Sequence, residues 1–246
     1  MSEQVRPYWQ SDDGLIQVYH GDMLDVLPLL GAFDVAVTDA PFAIKDAAMR
    51  MGPMGGTRRG DNTWHAPSTW DNAFDPKWGP AVCAAAPVVA WFGQWRKRPD
   101  VEAFMPHPIR CEIVWAKDMH VGPPCPAAMR DERIWIFSAR GFKPQHFETT
   151  VWDEPVIPTW EHKWHKNQKP ERLMGRLVRW VAPHGARVID PFMGSGSTLV
   201  AAKTLGFRCV GIDASEEHCE SAVIRLGGTG KRAAEPVGPL FGGLAR

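Results

Sequence analysis

Short apolar runs along the chain alternate with stretches of helical spacing. The runs Leu15–Tyr19, Phe33–Thr38, Val88–Phe92, Glu112–Ala116, Ile134–Ser138, Ala186–Ile189 and Arg208–Ile212 have the length and composition of strands. Met23–Leu30 predicts a short helix. Pro170–Val181 places Leu173, Leu177, Val178 and Val181 on one helical face. Ser197–Leu205 reads as a helix after a glycine turn. Ser215–Leu226 opens with Ser215 as a cap and with Glu216 and Glu217 in its first turn, where the helix dipole favours acids. Strands alternating with helices predict an α/β fold: a mostly parallel sheet with helices on both faces. No helical pattern separates 112–116 from 134–138, which predicts an antiparallel hairpin at the sheet edge.

Three segments lack periodicity. Residues 43–70 are rich in Gly, Met, Arg and His, and a loop of this length in a compact domain is a functional lid or disordered. Residues 141–168 combine Trp152, Trp160 and Trp164 with several His and Lys. Residues 227–246 are rich in Gly and Pro and read as a flexible tail. The remainder, residues 1–226, reads as one domain.

Composition narrows the class. The chain has 246 residues, 44% apolar and 23% charged, as a globular protein does. No run approaches the roughly 20 apolar residues of a membrane span. The N-terminal stretch MSEQVRPYWQSDDG lacks a signal-peptide core, so the expected location is cytoplasmic. Cys83, Cys111, Cys125, Cys209 and Cys219 are scattered and never spaced C-x-x-C, which argues for reduced thiols rather than disulfides or a zinc knuckle. His162 and His165 have no third ligand in view, and no metal is expected. Net charge is zero, so any contact with nucleic acid must use local clusters. Arg58-Arg59, Arg96-Lys97-Arg98 and the stretch from His162 to Lys169 are the candidates, although each alone reads as a solvated face.

The run "ARVIDPFMGSGSTLVAAKTLGFRCVGIDAS", residues 186–215, is the most informative. It reads strand, Asp190, glycine turn, helix, strand, Asp213. Gly194 and Gly196 let backbone approach a ligand at a helix N-terminus. Asp213 ends the next strand, where an acid can accept both hydroxyls of a ribose. The sixth position of a G-x-G-x-x-G would be Leu199, which disfavours a dinucleotide, and no G-K-[ST] follows. A second run, "VTDAPFAIK" at 37–45, ends an apolar strand on Asp39, a proline bend and an aromatic ring. Alone it reads as a strand end and turn.

Together these motifs resemble the amino-methylating DNA methyltransferases. D-P-F-x-G-S-G-x-T (190–198) is similar to that family's S-adenosylmethionine site, and D-A-P-F (39–42) resembles its D-P-P-Y catalytic tetrapeptide. The tetrapeptide precedes the cofactor motif, a permuted order that resembles the β class. His20-Gly21-Asp22-Met23 resembles the family's G-D segment, and Trp70-Asp71 through Trp78 its W-D…W stretch. "IVWAK" (113–117) and "RDERIWIFSARG" (130–141) resemble its late strands, with Asp131 where histidine is common. "NQKPERLMGRLV" (167–178) resembles its Q-K-P helix start. The resemblance spans about residues 14–226.

It implies a Rossmann-like methyltransferase fold with a seven-stranded sheet. It also implies N6-adenine methylation of a specific DNA sequence, with S-adenosylmethionine as cofactor. Asp39 and the carbonyl of Ala40 would hold the two N–H bonds of the amine, Pro41 would set the bend, and Phe42 would stack on a flipped base. Asp190, Phe192, Gly194, Ser195, Gly196 and Thr198 would line the methionine side of the cofactor. Asp213 would hold its ribose, Asp22 and Met23 would approach its adenine, and Lys169 would border the site. Arg58, Arg59 and His65, in an active-site loop over 43–70, would meet phosphates. So would Lys143, His162, Lys163 and His165, in a target-recognition segment over 141–168. DNA is the implied partner; a homodimer and a cognate restriction endonuclease are partners by analogy alone. Cytosine N4, an RNA substrate, and a catalytically weak DNA-binding relative stay open as alternatives. All of these demand that the tip near Asp39 face the glycine turn across one cleft.

Overall fold

The computed structural model describes residues 5–41, 74–118, 130–158, 164 and 168–228. Its strands are β1 (Trp9–Gln10), β2 (Ile16–His20), β3 (Val35–Thr38), β4 (Val88–Gly93), β5 (Ile109–Ala116), β6 (Asp131–Ser138), β7 (Val151–Asp153), β8 (Arg187–Asp190) and β9 (Arg208–Asp213). Its helices are α1 (Met23–Val26), α2 (Trp78–Ala85), α3 (Arg98–Phe104), α4 (Glu171–Val181), α5 (Ser197–Thr204) and α6 (Glu216–Arg225). Among the described residues the strands form a single nine-stranded sheet in the order β1-β2-β9-β8-β3-β4-β6-β5-β7. Pairing is antiparallel at β1–β2, β4–β6 and β5–β6, and parallel elsewhere. Only β1 and β6 therefore run against the rest.

Each of the seven apolar runs is a strand, and each expected helix is present. Two short strands, β1 and β7, flank the seven. With two and three residues they are too brief for any periodicity to show. β7 lies inside the irregular segment 141–168 and puts Trp152 fully in the core, against Trp180 and beneath the Arg176 guanidinium. This ring is therefore not a nucleic-acid contact, a correction to its reading as part of a recognition surface. β5 and β6 begin earlier than their apolar runs, where charged residues carry the ladder: Arg133 reaches Glu112 across the strands at 2.8 Å and Asp131 along its own strand at 2.8 Å. α2 and α3 escaped the pattern because Gly79, Pro80 and Pro99 read as breakers; in a first turn a proline gives up only an unused N–H.

The core has two sides. β4 alternates strictly: Val89 and Trp91 face one cluster with α1, α2 and α3, while Ala90 and Phe92 face the other with α4, α5 and α6. Helices on both faces explain why the central strands are apolar throughout. Residues 42–73, which hold Phe42, Arg58, Arg59 and His65, lie outside the described residues, as do His162, Lys163 and His165 and the end of the tail, 229–246. No helix among the described residues is long and apolar enough to cross a membrane.

Candidate functional site

Strand direction gathers the chemistry. β2, β9, β8, β3 and β5 all end on one edge, and β6, running the other way, begins there. That single edge carries Asp22, Asp213, the glycine turn, Asp39, Lys117 and Glu132. β3 pairs with β8 in parallel, Val35 opposite Val188 and Ala36 opposite Ile189, so the two tips are neighbours. From β3 the chain winds outward to β4, and from β8 it winds the other way to β9. Such a divergence opens a crevice at the carboxyl ends of the strands. Asp39 stands on one side of this crevice and the glycine turn on the other.

The turn is braced from below. Asp190, buried, accepts from the Thr198 hydroxyl at 2.5 Å and the Phe192 amide at 3.2 Å. Burial pushes its carboxyl up to about 7, against those two bonds. Gly194 and Gly196 have φ of 52° and 78°. A Cβ on Gly196 would lie 2.9 Å from the Ala222 Cβ, whereas one on Gly194 would enter open space. The backbone thus packs tightly on α6 and leaves a cradle above Gly194. Phe192 packs edge-on against Trp78 at 4.8 Å.

Arg225 was not foreseen, yet it locks this turn. Its side chain is 4% exposed. Its Nη1 donates to the Ser195 carbonyl at 2.6 Å, the Ser195 hydroxyl at 3.1 Å and the Ser197 hydroxyl at 3.3 Å, and its Nη2 to Glu171 at 2.7 Å. Nothing local marks it, because an arginine ending an amphipathic helix reads as solvated.

Asp213 is engaged more fully than a free ribose acceptor would be. Oδ2 accepts from Gly194 N at 2.9 Å; Oδ1 accepts from Ser215 N at 2.9 Å and faces His218 Nδ1 at 3.0 Å. The bond to Asp213, its largest influence, pushes the His218 imidazole above its ordinary range. With about four acceptor positions on a carboxylate, these contacts leave room for one further donor rather than two. Beside it, His20 pairs with Asp213 across β2–β9, and Gly21 N donates to the Asp213 carbonyl at 2.9 Å. Asp22 caps α1, accepting from Leu24 N at 2.8 Å, and Met23 is buried behind it.

Across the crevice lies an alternating row of charges. Lys169, just before α4, forms ion pairs with Asp39 Oδ2 at 2.7 Å and with Glu132 Oε2 at 3.1 Å. The other oxygen of Glu132 accepts from Lys117. The two ammoniums lie over aromatic rings, Lys169 over Phe92 at 5.1 Å and Lys117 over Trp115 at 4.7 Å. Burial pushes Asp39 above the usual carboxylate range; Lys169 opposes the rise and Glu132 adds to it. Burial would push Glu132 up too, but Lys169 and Lys117 bring it below its usual value. For Lys169, burial opposes the charge, and the two carboxylates outweigh it. Asp39 Oδ1 is buried and has no hydrogen-bond partner among the described residues. A buried acceptor without a donor is costly, and a ligand N–H would satisfy it. Ala40 is buried next to it.

In the sequence Lys117 and Glu132 are two charged residues at the ends of apolar strands; the antiparallel pairing of β5 with β6, and the placing of β6 beside β4, bring both to this edge. Lys143 is exposed and is not brought to this edge: it follows the far end of β6, two residues before Gln145, whose amide donates to the carbonyl of Trp180 near the end of α4.

Residues 109–224 match the family model for DNA methylases of the N6/N4 type. Over 70 residues the chain is 44% identical to type II methyltransferase M2.DpnII of Streptococcus pneumoniae, a match covering 28% of this chain and 26% of that protein. Over 67 residues it is 40% identical to M2.LlaDCHI of Lactococcus lactis subsp. cremoris, covering 26% and 25%. The chain thus spans about a quarter of the length of these relatives. Among solved structures, the complex of M1.HpyAVI with SAM superimposes with TM-score 0.63 at 19% identity, over 85% of this chain and 99% of that one. The cytosine-N4-specific PvuII DNA methyltransferase does so with TM-score 0.66 at 12% identity, over 89% and 88%. At these identities the likeness is one of fold, and it extends well beyond the segment that the family model covers. Residues 109–224 therefore resemble the N6/N4-type DNA methylases, and the chain as described has a Rossmann-like methyltransferase fold.

Proposed function

We propose that the chain is a DNA methyltransferase that moves a methyl group from S-adenosylmethionine to the exocyclic N6 amine of adenine in a specific DNA sequence. The observation that carries this reading is the unpartnered Asp39 Oδ1, buried at the tip of a strand that neighbours the glycine turn. The cradle above Gly194 and the remaining acceptor position on Asp213 fit a nucleoside-bearing cofactor. Gly194, Ser195 and Gly196 would face its methionine end, Asp213 its ribose, and Asp22 and Met23 its adenine. When bound, that cofactor supplies a methyl group on a sulfonium, an electrophile with a good leaving group.

The chain's own residues address the nucleophile. An exocyclic amine is weak because its lone pair is delocalised into the base. Asp39 Oδ1 would draw on one N–H and the Ala40 carbonyl on the other, pulling the nitrogen toward a tetrahedral, basic form. Asp39 is also placed to take up the proton that the nitrogen gives up, and burial raises its affinity for one. Fixed acceptors at the crevice need no reorganisation, so placement carries much of the acceleration. Phe42 would stack on the extruded base, offsetting about 1–3 kcal/mol of the cost of flipping it. Phenylalanine keeps that stacking and forgoes a tyrosine hydroxyl.

Cytosine N4 is the second reading, favoured by the structural likeness to an N4-specific enzyme. Incubating unmethylated duplex DNA with the protein and labelled S-adenosylmethionine, then separating nucleosides, distinguishes the two. N6-methyladenine is expected. N4-methylcytosine alone would overturn the choice of base, and no labelled nucleoside would overturn the reaction.

A further inference from the structure

The row Asp39–Lys169–Glu132–Lys117 holds more charge than amine polarisation requires. One carboxylate and a backbone carbonyl suffice to hold two N–H bonds. A second carboxylate and two buried lysines behind the first call for a separate reason, since each carries a desolvation cost. Lys169 and Lys117 are each about nine-tenths buried, and Glu132 nearly so.

The geometry suggests one. Lys169 shares its ammonium between Asp39 Oδ2 at 2.7 Å and Glu132 Oε2 at 3.1 Å. Without Glu132, the full positive charge would fall on Asp39. The ammonium could then settle between both carboxylate oxygens and occupy the one left open. Lys117 holds Glu132 from its far side, and is itself fixed: its amide donates to the Arg130 carbonyl, while its carbonyl accepts from the Arg130 guanidinium at 2.9 and 3.1 Å.

We propose that Glu132 is a positioning residue for methyl transfer: by competing with Asp39 for the Lys169 ammonium, it keeps the second Asp39 oxygen open and basic toward the substrate amine. The role rests on the methyltransferase reading above and adds a residue to it. Lys117 serves the same end by holding Glu132 in place. Three charged groups act on Asp39, namely Lys169 ahead of α4, Glu132 on β6 and Lys117 after β5, while Asp190 at the end of β8 is itself raised by Asp39. Of these, Glu132 raises its proton affinity, whereas both lysines lower it.

The test titrates Asp39 directly. Protein labelled with carboxyl-13C aspartate is followed by NMR against pH, with the Asp39 signal assigned by its loss in Asp39→Asn. In Glu132→Gln the Asp39 midpoint is expected to fall by about one unit, the scale for losing a close charge. The acid limb of the kcat profile should move down with it. Turnover at neutral pH should fall about 10–100-fold, the scale for partners that orient a functional side chain from behind. Affinity for S-adenosylmethionine should hold, and Glu132→Asp should restore part of the turnover. Because Glu132→Gln leaves Lys117 buried without its carboxylate, Lys117→Met/Glu132→Gln is measured alongside it. The double variant removes one charge of each sign and keeps a smaller downward shift. An Asp39 midpoint unmoved in both variants, with an active wild type, overturns the positioning role alone. A wild type that transfers no methyl group overturns the enzymatic reading and this role with it.

Discussion

Replacing Asp39 by alanine separates chemistry from architecture. The substitution removes the open acceptor Oδ1 and the Lys169 partner Oδ2 together. Deleting one member of an isolated buried ion pair costs about 3–5 kcal/mol, because the other charge is stranded. Here Lys169 keeps Glu132 at 3.1 Å, so it is not stranded, and the desolvation cost of Asp39 itself disappears. The net loss of stability should therefore be well below that range, about 1 kcal/mol or less. The rate should respond differently. Losing one preorganised polar contact at a reacting centre costs about 2.7–4 kcal/mol of transition-state stabilisation. At 1.36 kcal/mol per tenfold, that is a fall of at least ~100-fold in turnover. The Gly194 cradle and Asp213 lie across the crevice on other strands, so cofactor binding should be retained. Single-turnover transfer of labelled methyl to DNA, calorimetric titration with S-adenosylmethionine and thermal unfolding measure the three quantities. Unchanged turnover would refute the assignment of Asp39. A loss of folding equal to the loss of activity would refute the claim that Glu132 keeps Lys169 paired.

Three other outcomes are expected. Asp190 has a carboxyl raised by burial from 3.8 to about 7, so the folded state holds a proton that the unfolded chain has released. The stability it contributes is full below about pH 4 and declines as pH rises to about 7; relative to Asp190→Asn, the wild type should lose ~1.4 kcal/mol per pH unit in that window, read by urea unfolding. Arg225→Met removes the side-chain anchor described at Ser195 and Ser197, and should weaken S-adenosylmethionine binding about tenfold or more while lowering stability by ~1–3 kcal/mol; unaltered affinity would remove Arg225 from the site. Gly196→Ala forces a Cβ to 2.9 Å from Ala222 at φ 78°, and should cost about 1–3 kcal/mol in thermal unfolding, more than the same change at Gly194, where the space is open.

Much of the architecture was written in local pattern. Seven apolar runs and the helices between them announce a mixed α/β sheet, because burial on both faces leaves little freedom in what a central strand can contain. The capping of α6 by Ser215 could be read directly, and the hydroxyl does accept from His218 N. The glycine turn was legible too, since Gly194 and Gly196 stand where the chain needs positive φ. What stayed hidden were charges whose partners lie far along the chain. Arg225 reaches Ser195 across 30 positions, and Asp39 meets Lys169 from the opposite end of the domain.

The sequence by itself determined which segments would be buried and where the backbone could bend, because periodicity and glycine act within a few residues. Tertiary structure alone decided that the tips of β3 and β8 stand side by side, through their parallel pairing. It also decided which strand of the expected antiparallel pair is reversed: β6 runs against the sheet and delivers Glu132 to the edge that holds Asp39. Strand order and direction are properties of the assembled sheet, set by many weak contacts at once, and no single stretch of residues encodes them.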